Sequence, residues 1–139
     1  MLSLPSLLIF VHVAAVVIWI GSSAAVGLIL AAADGTAKLR GQIALGVYRR
    51  LASPAFVIAF LAGTARLVSS AHYYFVDRHF MHAKLPLALA IIALHHMLGG
   101  RARKVASGAT EDTSKSLGRV WLMLICAVGA VFLVVVEPF

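Results

Sequence analysis

The chain predicts an all-α membrane protein, a single antiparallel bundle of four transmembrane helices, on three observations. First, 62% of its 139 residues are hydrophobic and 12% are charged, against a usual charged fraction of about 25%. A soluble domain of this size has too much exterior to hide so much apolar surface. Second, four apolar runs reach or exceed the roughly 20 residues that cross a bilayer. Third, most of the charges lie between those runs. The net charge of +7 therefore reads as topology and contact with membrane lipid, and argues against a nucleic-acid partner. One domain, residues 1–139, accounts for the length. The single cysteine, Cys126, sits inside an apolar run and excludes an intrachain disulfide or a multi-thiolate metal site.

The first helix is expected over roughly 4–32. Met1 to Ala33 holds no Asp, Glu, Lys or Arg, and Pro5 suits a first helical turn. The run is too long for a signal-peptide core and lacks a basic start. A polar connector is expected over 34–50, carrying Lys38, Arg40, Arg49 and Arg50. The second helix follows over roughly 50–75, with Pro54 early and Arg66 deep within it. Tyr73, Tyr74 and Phe75 form an interfacial aromatic cluster after it. The third helix is expected over roughly 80–100, stopping at Gly99-Gly100. A hydrophilic loop over 101–117 leads, with Ser114 as a candidate cap, into a fourth helix over roughly 116–137.

Lys and Arg are unevenly shared. The first connector holds four and the 101–119 segment five, whereas Arg78, Lys84 and Arg66 lie elsewhere. By the positive-inside rule those two connectors are cytoplasmic, and both termini face the outer, periplasmic side.

The third helix carries the candidate chemistry. His82, Lys84, His95 and His96 interrupt an otherwise greasy stretch, and ionisable groups in such a helix face a bundle interior, a cofactor or a cavity. Lys84 and His95 are 11 residues apart, which leaves them ~20° apart around the helix. His82 and His96 share an adjoining stripe. On the first helix His12, Trp19 and Ser23 share a face, with Gly21, Ser22 and Gly27 permitting close approach. Helical rise places His12 ~12 Å and His95 ~20 Å below the outer surface, so His12, Arg66, Lys84 and His95 are expected to converge in the outer half of the bundle. Each also has a plainer reading. His12 could bond across helices, Lys84 and His96 could snorkel, His79 and His82 could be interfacial, and Trp19 could be packing. Arg66 has the weakest plain reading, because a guanidinium between Ala65 and Leu67 wants an anion.

Histidines on separate membrane helices, cations beside them and few carboxylates suit a haem: imidazole supplies axial ligands, while Arg or Lys pairs with propionates. Without Cys-x-x-Cys-His the group would be a haem b. His12 and His95 are the expected metal ligands, Arg66, Lys84 and Trp19 the expected cofactor contacts, and His82 or His96 a candidate proton relay. Depth alone does not choose between His95 and His96, and His82 also stays open as the second ligand.

Four places carry a resemblance to the HemJ-type protoporphyrinogen IX oxidases, and more distantly to the CopD membrane domain. They are His12 with Trp19-Ile20-Gly21, Arg50-Leu51 with Ser53-Pro54-Ala55 and Gly63, His82-Ala83-Lys84-Leu85 with His95-His96, and Glu137-Pro138-Phe139. The family's closing motif is Lys-Pro-Phe, so Glu137 departs from it. Ser22 to Gly27 stands where the family has an aromatic-rich segment, and of the family's fourth-helix motif only Arg119 is present. The resemblance implies a multi-pass protein of the bacterial inner membrane. It would oxidise protoporphyrinogen IX and pass electrons through haem to a quinone. A non-catalytic haem b subunit of a larger membrane complex, or a homo-oligomer, is the alternative that the departures leave open.

Overall fold

The computed structural model describes residues 3–137, and among these every regular element is helical. Four helices are long and apolar enough to cross a membrane: α1 (Leu4–Ala31), α2 (Ala37–Ser69), α3 (Met81–Ala106) and α4 (Ser116–Val136). Short links make them run alternately up and down, as expected. Exposed Val128, Val135 and Trp121 on α4 and Phe10 and Val17 on α1 form an apolar exterior that suits lipid contact.

α1 begins where the sequence placed it. Ser3 caps it by accepting from the Ser6 amide at 3.3 Å, and Pro5 occupies the first turn. α2 differs from expectation. The polar stretch over 34–50 is mostly helix, because Thr36 accepts from the Leu39 amide and starts α2 at Ala37. Its charges mark the end of the membrane-spanning part and not a loop. The helix then passes through one π turn, Tyr48–Ala52, in which the Ser53 amide donates to the Tyr48 carbonyl. Pro54 follows at once and has no amide to give, so the widened turn sits where the α-helical ladder is already interrupted.

α3 also outruns its expected end. Gly99 does not stop the helix; it makes room for Tyr48, whose ring atoms would lie 2.1 Å from an added Cβ. The helix stops instead at Gly108, whose φ of +78° supports main-chain bonds from Gly108 to Val105 and from Ala109 to Lys104. Ser114 does not cap α4. It donates both its amide and its hydroxyl to Asp112 Oδ1, at 3.0 and 2.6 Å, while Lys115 takes the cap position.

The core lies toward the basic end, around Val26, Leu30, Ala44, Leu98, Ala102 and Met123. Small residues bring the backbones together there: an added Cβ on Gly41 would meet the Ala106 backbone nitrogen, and one on Gly27 would meet Val120. The first part of α2 packs on both α3 and α1. Beyond the π turn α2 packs chiefly on α1. The divergence from α3 opens a cleft at the other end, and the candidate site occupies it.

Candidate functional site

The cleft is a cavity of about 180 Å³ among the ends of all four helices. His12 from α1, Arg66 from α2 and Lys84 from α3 line it, with Tyr74, Phe80 and Met81 among its walls. His12 is placed by a glycine. Its ring lies against Gly63, where an added Cβ would sit 2.7 Å from His12 Cε1. Its Nδ1–H donates to the Ala59 carbonyl at 2.8 Å. That bond selects the tautomer with a lone pair on Nε2, the orientation that metal-ligating histidines commonly have.

Arg66 is half-buried. It donates to the Ser70 hydroxyl, and its guanidinium carbon lies 5.3 Å from the centre of the Tyr74 ring. Its Nε is buried without a hydrogen-bond partner. Neither acid at this end serves it. Asp77 lies 3.4 Å from His72, and Glu137 pairs with Arg78 at 2.8 Å. Among the described residues the cavity therefore gathers Arg66, Lys84 and an imidazole with no carboxylate in its lining. Unmet cationic donors within apolar walls are a receptor for an anion.

His95 is elsewhere. It is fully buried, its Nδ1 hydrogen-bonded with the Ser23 hydroxyl at 3.0 Å. Ser23 lies 11 residues beyond His12 on α1, which puts the two imidazoles on levels ~16 Å apart. Tyr48 stacks on His95 at 4.8 Å, Phe56 tilts against it at 5.1 Å, and Trp19 meets it edge-on at 5.7 Å. His95 Nε2 and Trp19 Nε1 are both buried without partners. The expected convergence of four basic side chains is thus corrected: three meet, and His95 sits in an aromatic box of its own. Lys84 and His95, 11 residues apart on α3, act on different levels along it.

The expected relay residues also separate. His82 is exposed and donates from Nε2 to the Phe75 carbonyl at 3.1 Å. His96, 14 residues further along α3, has its Nδ1 3.4 Å from the Tyr48 hydroxyl and is exposed on the outside of the bundle. Trp19 is core packing, 7% exposed, and lies against Phe56 at 5.1 Å. Tyr74, expected only as part of an interfacial aromatic cluster, and Phe80, which the sequence did not single out, are both cavity residues. Tyr48 carried no signal until Gly99 is seen beneath it.

A haem with His12 and His95 as its two axial ligands does not fit this arrangement, since one iron cannot reach both levels. Among the described residues no three of His, Cys, Asp and Glu come together as a metal site either. A macrocycle gripped at one edge does match the donor set of the cavity. Pockets that bury most of a drug-sized ligand run from about 300 to 1,000 Å³, so this cavity has room for part of such a ligand only. Compared with family models, with curated proteins and with solved structures, the chain matches none.

Proposed function

We propose that the protein is an integral membrane protein that receives the carboxylate edge of a flat apolar ligand of the porphyrin class in the His12–Arg66–Lys84 cleft. One observation carries this reading: three helices each contribute a basic side chain to an apolar cavity that, among the described residues, has no acid in its lining. Arg66 and Lys84 take the propionates, because a guanidinium and an ammonium within hydrogen-bonding reach of carboxylates form the strongest neutral-pH contacts available to such a ligand. His12 stands beside the ring with its Nε2 lone pair free to bind a central metal or to accept a proton. A bound haem would supply one-electron chemistry.

The resemblance to the HemJ type supports taking protoporphyrinogen IX as the substrate and a quinone as the electron acceptor in the bacterial inner membrane, and the distribution of Lys and Arg supports both termini outside. The absence of a carboxylate-rich metal or ion path agrees with a porphyrin in place of a transported cation. Haem as a fixed bis-histidine cofactor is not part of the proposal.

The test is an absorption titration of the purified protein with haem and with metal-free protoporphyrin IX. Saturable binding of either, at a stoichiometry of one and weakened by Arg66→Gln, supports the reading. Failure of both ligands to bind overturns it. Complementation of a strain that lacks protoporphyrinogen oxidase then separates an enzyme from a carrier or electron-transfer subunit.

A further inference from the structure

At the opposite end of the bundle, α2 exposes a stripe that nothing in the fold covers. α2 is 33 residues long, about 50 Å at helical rise, against a hydrocarbon thickness of about 30 Å. The excess is its first part, where Lys38, Arg40, Arg49 and Arg50 sit. Along it runs an open face formed by Leu39, Gln42, Ile43, Gly46, Arg50 and Leu51. The spacing is that of one helical face. Leu39, Ile43 and Leu51 are each about half exposed, and an added Cβ on Gly46 would meet nothing within 4 Å. A small residue at the centre of an exposed apolar stripe admits the close approach of another helix. Exposed apolar side chains set among basic ones mark an interaction surface.

Charge decides the occupant. From Gly35 to Val76 the chain has no Asp or Glu. Lys38 and Arg40 border the stripe on its two sides at 100° per residue, and Arg50 lies within it. This end of the molecule carries nine Lys and Arg, namely Lys38, Arg40, Arg49, Arg50, Arg101, Arg103, Lys104, Lys115 and Arg119, against Asp34, Glu111 and Asp112. One of those acids, Asp112, lies 3.5 Å from Arg101. A second copy related by a two-fold axis along the membrane normal would set Arg50 against Arg50. Like charges facing each other oppose association.

We propose that this stripe docks an amphipathic helix of a different polypeptide, apolar on the face that meets Leu39, Ile43 and Gly46 and acidic on its flanks. The proposal stands apart from the porphyrin site, which lies at the other end of the bundle, so either can fail alone.

The experiment places a photoreactive phenylalanine analogue at Ile43, and separately at Gly46, in the full chain in its native membrane. Illumination should give an adduct with one other polypeptide, and the cross-linked peptide should map to a helix with Asp or Glu beside its apolar face. Reversing Arg49 and Arg50 to Glu should lower the yield at least about fivefold. Arg119→Glu, a reversal at the same end but off the stripe, should leave it unchanged. The same probe at Val128, on the lipid-facing side of α4, should not give that adduct. An adduct with a second copy, with lipid alone or with a partner segment lacking acids would overturn the proposal, as would no adduct or insensitivity to the Arg49/Arg50 reversal in variants that reach the membrane at normal levels.

Discussion

Arg66 and Lys84 illustrate how a membrane interior turns a costly residue into a useful one. Each is half-buried among apolar neighbours, and among the described residues neither has a carboxylate within the cavity. Replacing Arg66 by Gln or Lys84 by Met should weaken porphyrin binding by about tenfold or more, the scale of one charge-assisted contact, as read by absorption titration. Gly63→Ala acts on the same site through His12. The new methyl would lie 2.7 Å from the ring, so the imidazole must leave the Ala59 carbonyl. Ligand affinity should fall although no polar group has been removed. At the other level, Gly99→Ala drives a methyl into the Tyr48 ring and should destabilise the bundle by about 1–3 kcal/mol. Gly100→Ala, with open space at its Cβ, should be neutral or slightly stabilising. Thermal unfolding of the two variants in one detergent compares them directly.

Among the elements, α2 and the 107–115 loop depart most from expectation. Polar composition suggested a connector over 34–50, yet charge reports depth and says little about backbone conformation. A capped, alanine- and leucine-containing segment remains helical on leaving the bilayer. In the loop, the Ser114 hydroxyl donates to Asp112, and this bond, with the Ser114 amide and nearby Arg101, holds the Asp112 carboxyl below its ordinary value of 3.8. A depressed folded value means that the contribution to loop order is present above the ordinary aspartate range. It is lost as pH falls through the folded value. Limited proteolysis within 107–115 should therefore stay slow at neutral pH and speed up in strong acid. Asp112→Asn should speed it at neutral pH and leave it less sensitive to acid.

For the molecule as a whole, the four spans and the charge bias make a topological statement. On a Cys126→Ala background, cysteines at Ala109 and at Val76, both exposed, should label from opposite sides of a sealed vesicle. Ala109 should react from the cytoplasmic side. Labelling of both from one side would break the up-and-down arrangement. The bundle is also asymmetric along its axis: close-packed by glycines at the basic end, splayed at the other, with the π turn of α2 between them. The cavity and the exposed stripe of α2 thus occupy opposite ends, the cavity where α2 has parted from α3.

Hydropathy, counted residue by residue, determined that four helices are long and apolar enough to cross a membrane, because transfer from water into lipid is nearly additive along the chain. The same count singled out His12, Arg66, Lys84 and His95 as ionisable groups in apolar helices, and rotational phase paired Lys84 with His95. The closing Pro138-Phe139 of the sequence motif lies outside the described residues. Only tertiary structure decided that the first three meet while His95 stands a different height away. Height depends on how far each helix slides against its neighbours, and that offset is set by Gly41, Gly63 and Gly99 fitting under side chains distant in sequence, which no local pattern encodes.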